Sequence, residues 1–171
     1  MLTSLILLFS CVSEEPTKNG KDVVITEQKH AVPKADDHQT KSFFCCDNEQ
    51  VQKILGAHLQ TNRLLAADKR DEAFPKAKEY LALALQHPAL ATEAKAMEGI
   101  WTTGKDVQDN MYTLNQQLID VVQKHKSDSG EKVIVAFCPM VNPEGGRWLQ
   151  TESIISNPYY GSQMLTCGVF E

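Results

Sequence analysis

The sequence lacks any apolar run of about 18 residues, the length that a membrane-spanning helix requires. It also lacks an excess of basic residues, because 17 Lys and Arg stand against 22 Asp and Glu, for a net charge of −5. A chain without a basic block lacks the charge that holds a nucleic-acid backbone. The sequence therefore predicts no nucleic-acid partner, and contact with a membrane only through an attached lipid anchor.

The motifs of several enzyme classes are missing as well. The chain has no Gly-x-Ser-x-Gly, no His-Glu-x-x-His and no Gly-rich phosphate loop. It has none of the Cys-x-x-Cys spacing that thiol oxidoreductases use. Cys138 would lack a partner base as a nucleophile, because the nearest histidine in sequence, His125, is predicted to end a helix. We therefore predict that the protein is not an enzyme.

The N-terminus resembles a bacterial lipoprotein signal. Apolar residues 5–9 end at the small residue Ser10, and Cys11 follows. We predict that residues 1–11 are a signal ending at a lipidated Cys11, although no Lys or Arg precedes the apolar run. The two acyl chains expected on such a cysteine would hold the protein stably at a membrane. The alternative is a plain N-terminus with a chance cysteine.

Residues 12–42 are predicted to be a polar tether. They are rich in Glu, Lys, Asp, Thr and Pro, and such a segment buries too little apolar surface to offset the entropy of ordering it. Residues 43–171 then form one domain, which is long enough for a single core.

Four stretches of this domain have helical periodicity. The first three cover residues 47–68, 71–87 and 89–101, and the fourth has its apolar seam at residues 107–121. The last has the clearest seam, in which Val107, Met111, Leu114 and Leu118 step by four, three and four. Short breaks between the helices predict a mainly α domain, an antiparallel up-and-down four-helix bundle. Met111 is interpreted as core, and His58, on or beside the apolar stripe of the first helix, as a packed core residue rather than a ligand.

Residues 133–168 are predicted to be a short strand followed by a structured Cys/Met loop. Residues 133–137 are apolar and β-branched, which favours a strand. Two turns, at residues 142–146 and 157–161, divide the rest. Trp148, Tyr159 and Tyr160 lie between and within the turns and are candidates for the wall of a site, or for ordinary packing.

The loop carries two pairs of soft sulfur ligands. Cys138 and Met140 flank Pro139, and in an extended chain residues two apart point to the same side. Met164 and Cys167 are three apart, on one face of a helical turn. Two thiols and two thioethers select soft cations such as Cu(I) and, by analogy, Ag(I). The alternative is a disulfide between Cys138 and Cys167 with both methionines as core filler.

Cys45 and Cys46 open the domain, and the sequence leaves three roles open for them. They could form a disulfide to another cysteine, plug the N-terminal end of the core, or add a thiolate to the sulfur site. Adjacent cysteines on an extended backbone point to different sides, so joint chelation of one ion is not expected.

The C-terminal part of the domain resembles a known family. Residues 133–140, then Trp148-Leu149, then Asn157-Pro158-Tyr159-Tyr160-Gly161 and Met164-Leu165-Thr166-Cys167-Gly168 are similar to a small exported bacterial domain of uncharacterised function. That domain occurs alone, often with a lipoprotein signal, and is appended to periplasmic adaptor subunits of copper/silver efflux pumps of the resistance-nodulation-division type. The resemblance implies copper or silver handling, with Cys138, Met140, Met164 and Cys167 as candidate ligands.

The sequence thus predicts a lipid-anchored protein on the periplasmic side of a bacterial envelope. It would bind Cu(I) or Ag(I) and buffer the ion or pass it to a heavy-metal efflux system. The alternative is an interaction module, stapled by a disulfide, that docks on an envelope or efflux partner without a metal.

Overall fold

The computed structural model describes residues 42–171. The predicted lipidation site Cys11 and nearly all of the predicted tether lie outside the described residues. Within residues 42–171 no helix has both the length and the apolarity needed to cross a membrane.

The described part of the chain contains five α-helices and five β-strands. The helices are α1 (Glu49–Ala66), α2 (Arg70–Leu85), α3 (Ala91–Met97), α4 (Gly104–Asn110) and α5 (Tyr112–Lys124). The strands are β1 (Phe43–Cys45), β2 (Lys126–Ser127), β3 (Glu131–Cys138), β4 (Gly146–Gln150) and β5 (Val169–Phe170), with a 3₁₀ turn at Gly161–Gln163.

The predicted four-helix bundle is wrong, because the domain is a mixed α/β structure in which helices pack against an antiparallel sheet. The helical stretches themselves are present, and the seam of the last one is buried as expected. That seam is divided, however, between α4 and α5, with the break at Met111. The apolar face of α5 packs largely on β4 and that of α4 on α2, so the helices bury their stripes against a sheet as well as against one another.

Strand β3 is the centre of the sheet. Along one edge it pairs with β4, from Ile134 opposite Gln150 to Cys138 opposite Gly146. Along the other edge it pairs with β1 at its start and with β5 at its end. All of these pairings are antiparallel.

The composition of β3 follows from this position. Four successive residues, 133–136, are buried, so both faces of the strand are covered. The sequence of a strand that is covered on both faces is a continuous apolar run, without the alternation of apolar and polar residues seen in a half-exposed strand. This central strand fixes where its two ends lie, and each end carries a pair of cysteines.

Candidate metal site

The last residue of β3 and the segment that returns to it bring two thiols together. Cys138 ends β3 and is fully buried, and the Sγ atoms of Cys138 and Cys167 are 3.0 Å apart across 29 residues of sequence. Cys167 is half-buried and precedes β5, which pairs with β3 in the register Phe137 opposite Val169. The antiparallel return of β5 therefore places Cys167 beside Cys138.

Asn157 holds the returning segment in shape. Its side chain is fully buried, and its Nδ2 donates to the carbonyl of Cys167 at 2.8 Å. Its main-chain N–H donates to the carbonyl of Leu165 at 2.8 Å, and its Oδ1 accepts from the N–H of Tyr159 at 2.9 Å. Two hydrogen bonds of the side-chain amide and one of the main chain thus fix both ends of the turn that carries Cys167.

Gly168 allows the close approach of this turn to the sheet. Its φ is +145°, a conformation that side chains disfavour. A Cβ at this position would lie 2.9 Å from the carbonyl oxygen of Phe137 and 3.0 Å from the Trp148 ring. Cys167 can therefore reach the end of β3 because its neighbour has no side chain.

The two thioethers lie differently. Met164 is half-buried in the same turn as Cys167, whose N–H donates to the Met164 carbonyl at 2.9 Å. The side chain of Met140 is 60% exposed, and its main-chain carbonyl accepts a hydrogen bond from the Tyr160 hydroxyl. The structure brings together the two thiols, sets Met164 in the adjoining turn, and leaves Met140 at the surface.

The three candidate wall residues surround this end of β3 to different extents. Trp148 is fully buried, donates from Nε1 to Gln150 Oε1 at 2.9 Å, and meets the Tyr159 ring edge-on at 5.8 Å between centroids. Burial raises the pKa of Tyr159, the hydrogen bond with Asn115 lowers it in part, and the charge of a Cys138 thiolate raises it further. Burial also raises the pKa of Tyr160, with added contributions from Cys138 and Cys167. Both tyrosines thus lie near the thiols, while Trp148 packs against Tyr159 and against the turn at Gly168.

The contact with Cys138 affects the ionisation of Cys167. The hydrogen bond with Cys138 raises the pKa of Cys167, and partial burial and the charge of a Cys138 thiolate raise it further. Loss of the second proton is costly because it would leave two thiolates in contact. A soft cation between the sulfurs would remove that cost, so binding an ion here would release protons.

Cys45 and Cys46 are not part of this site. The structure joins them to each other as a disulfide, and both are buried. Cys45 pairs with Glu131, the first residue of β3, whereas Cys138 is its last. Seven steps of about 3.3 Å put the two cysteine pairs roughly 23 Å apart. Of the three roles left open by the sequence, an added thiolate at the sulfur site is thereby removed.

His58 is a core residue, as predicted. It is almost fully buried, and burial lowers its pKa to about 3. Its Nε2 accepts from the main-chain N–H of Leu149 at 3.4 Å and lies 2.9 Å from Nδ2 of Asn62. The ring is therefore neutral, with its proton assigned to Nδ1.

Several buried polar residues lie around His58, and the sequence pattern did not predict them. Asn62 and Asn115 are buried, and Asn115 Nδ2 donates to the Tyr159 hydroxyl at 3.1 Å, which in turn donates to the Arg147 carbonyl at 2.5 Å. This chain of hydrogen bonds links α5 to the sheet beside the thiols, and the bonds of His58 and Asn62 to Leu149 link α1 to the same sheet. The sequence does contain a sign of this cluster. Asn62 follows His58 by one helical turn, so two polar side chains lie on the same face of α1 at positions that are otherwise apolar.

Among residues 42–171, no group of three or more His, Cys, Asp or Glu side chains is arranged to hold a metal ion. Any metal bound in this part of the chain by the two thiols would thus draw its further protein ligands from the neighbouring methionines or other groups.

No protein-family model, curated protein or solved structure matches the chain.

Proposed function

We propose that the protein binds a soft monovalent ion, Cu(I) or Ag(I), at Cys138 and Cys167. The observation that carries the proposal is the 3.0 Å contact between two thiols distant in sequence, with a methionine in the same turn as one of them. Thiolate and thioether sulfur prefer such ions over Zn(II), which takes more thiolate or imidazole, and over Mg²⁺ and Ca²⁺, which take oxygen.

The position of the pair suits transfer of the ion rather than permanent storage. Cys138 is fully buried and provides a fixed ligand, whereas Cys167 and Met164 are half-buried and Met140 is exposed. An ion held between them is reachable from solution on one side. A partner can then take it by replacing one sulfur at a time, without unfolding the domain.

The same proposal covers the cellular role. The protein is anchored by a lipid on Cys11 at the periplasmic side of a bacterial envelope, and it buffers the ion or hands it to a heavy-metal efflux system. The support is the resemblance of the C-terminal motifs to domains appended to efflux adaptors, together with a soft-sulfur site that is open on one side.

A competitive Cu(I) titration against a chromophoric chelator tests the binding. Reduced wild-type protein is expected to take one ion per chain, and Cys138→Ser/Cys167→Ser is expected to lose this binding. Cys45→Ser/Cys46→Ser is the matched control, because it removes two thiols roughly 23 Å away and should leave Cu(I) affinity unchanged. Equal affinity in wild type and Cys138→Ser/Cys167→Ser would refute the proposal.

The contribution of the two methionine thioethers to Cu(I) binding is tested by replacing each with leucine, which matches methionine in volume. Met164→Leu is expected to weaken Cu(I) binding while leaving the free energy of unfolding nearly unchanged. The same result for Met140→Leu would show that this exposed side chain folds back onto the bound ion. If both variants bind as wild type, the ion is held by thiols alone.

A second function, a disulfide-stapled interaction module, is favoured by the same short contact. A disulfide needs its sulfurs at about 2.05 Å, so after a small movement a two-electron oxidant of the compartment, which takes up the two electrons and two protons of the thiols, would close the bond. Closing a loop of this length stabilises a domain by about 3–4 kcal/mol in the chain-entropy description. This function predicts that protein from its native compartment has no free thiol at Cys138 or Cys167, and that Cu(I) does not raise its Tm.

A further inference from the structure

The other cysteine pair lies at the opposite end of the central strand. Cys45 belongs to β1 and pairs with Glu131 at the start of β3, and Cys46 follows it directly. The two sulfurs are joined, so both lie on the same side of the backbone. The carbonyl of Cys46 accepts from Nε2 of Gln52 at 2.7 Å, which ties the pair to α1.

A cavity adjoins this pair. Its volume is about 250 Å³, and Cys45, Gln52, Gly56 and Glu131 are among the residues that line it. A Cβ built on Gly56 would meet no atom within 4 Å, so there is free space on this side of α1. Although Cys45 and Cys46 are only 1% and 4% exposed, the cavity gives a small solute a route to Cys45.

We propose that Cys45 and Cys46, when reduced, form a second site that captures a trivalent thiophilic metalloid, of which arsenite is the simplest example. The proposal uses neither Cys138 nor Cys167 and does not depend on the proposed Cu(I) site. Two thiols of a small-molecule reductant open the disulfide and leave as their own disulfide. One arsenous acid molecule then condenses with the two thiols, forming two As–S bonds and releasing two water molecules.

Coordination geometry separates this site from the Cu(I) site. Cu(I) and Ag(I) bound by two sulfurs favour a linear arrangement, with the sulfurs on opposite sides of the ion. Sulfurs on adjacent residues that already lie on the same side cannot flank an ion in that way. A trivalent arsenic centre is pyramidal and accepts two neighbouring sulfurs and one oxygen.

Charge favours the same ligand. Arsenous acid is neutral at physiological pH, so it enters a largely buried site without the desolvation cost that a free cation would meet. The cavity is walled partly by Leu55 and Leu59, and Gln52 and Glu131 supply polar groups at its edge. The hydroxyl left on arsenic can donate a hydrogen bond to a carboxylate or amide oxygen there.

The test uses the full chain with Cys11→Ser, Cys138→Ser and Cys167→Ser, so that only the adjacent pair remains. Reduced protein is incubated with sodium arsenite and desalted, and bound arsenic is counted by native mass spectrometry and elemental analysis. One arsenic per chain is expected. Adding either Cys45→Ser or Cys46→Ser should abolish retention, because a single thiol cannot chelate.

Gly56→Leu, in the same background, tests the route of entry. It keeps both thiols and places a side chain in the cavity, so arsenite capture is expected to slow at least tenfold. Circular dichroism and a thiol count after unfolding confirm that each variant is folded and reduced. Failure of the folded, reduced pair to retain arsenic, or equal retention by a single-serine variant, would overturn the proposal.

The two proposals fail separately. Loss of arsenite capture with Cu(I) titration intact removes only the adjacent-pair site. Cu(I) affinity that depends on Cys45 and Cys46, rather than on Cys138 and Cys167, would contradict both assignments.

Discussion

Burial of a neutral His58 should make the stability of the domain fall as the solution becomes mildly acidic. The folded pKa is lowered to about 3 by burial, whereas the ordinary value is 6.5. Below pH 6.5 the unfolded chain therefore binds a proton that the folded domain does not bind. The free energy of unfolding therefore has its full value, as far as His58 is concerned, above pH 6.5. It falls progressively as the pH drops from 6.5 towards about 3.

The size of the effect follows from linkage. Each pH unit within this window costs about 1.36 kcal/mol, so one histidine contributes a loss of about 2 kcal/mol between pH 7 and pH 5. A single-domain protein has a total stability of roughly 5–15 kcal/mol, so the loss is readily measured.

The assay is urea unfolding of reduced protein at several pH values from 5 to 7.5. His58→Gln carries no titrating ring, so its free energy of unfolding should vary with pH by about 2 kcal/mol less than wild type over this range. A constant offset between the two proteins does not affect the comparison. His125→Gln is the control, because His125 is partly exposed and bonded to Asp47 at the surface. Parallel pH profiles for wild type and His58→Gln would refute the assignment of a buried neutral imidazole.

Two further changes test the support of the site. Gly168→Ala should destabilise the domain by about 1–3 kcal/mol in urea unfolding, because of its positive φ and the clash with Phe137; Gly99→Ala, with open space at its Cβ, should not. Tyr159→Phe should cost about 1–3 kcal/mol, because it leaves a buried amide and a main-chain carbonyl without their partner. Tyr112→Phe, at an exposed ring, is its control, and equal losses for the two tyrosine variants would contradict the buried hydrogen-bond chain.

The longer helices could be predicted from the sequence because they carry apolar residues at helical spacing over several turns. Val51, Ile54, Leu55 and Leu59 recur at helical spacing and are all buried in α1. Only the run at residues 133–137 had a recognisable strand pattern, and it lies in β3. The break at Met111 left no trace in the pattern, since the residues on either side keep the same periodicity.

The sheet could not be predicted for a physical reason. Strands β1, β2 and β5 have only three, two and two residues, too few for an alternating pattern to be seen. Trp148 was expected in the structured loop that follows the predicted strand, yet Trp148 and Leu149 lie in β4, and both are fully buried. Without those partners, the apolar run of β3 was interpreted as a single strand leaving a bundle.

The meeting of Cys138 and Cys167 was suggested by their paired spacing, and its structural cause is the pairing of β5 with β3. The ligand roles of these residues and of both methionines stay a prediction. The side-by-side placement of Cys45 and Cys46 was not anticipated, because an extended backbone was assumed, on which adjacent side chains diverge.

Metal binding and disulfide formation compete for the same two sulfurs. Cys138 lies at the end of a central strand, paired with Gly146 and fully buried, so it moves little. The main chain of Cys167 is held by Asn157, but its side chain is only half-buried. Closing the sulfurs to a disulfide and opening them around an ion would therefore both be rotations of the Cys167 side chain. If the protein binds an ion as proposed, its oxidised form has no thiolate to offer, so the redox state of the surroundings would decide whether Cys138 and Cys167 bind an ion or form a disulfide.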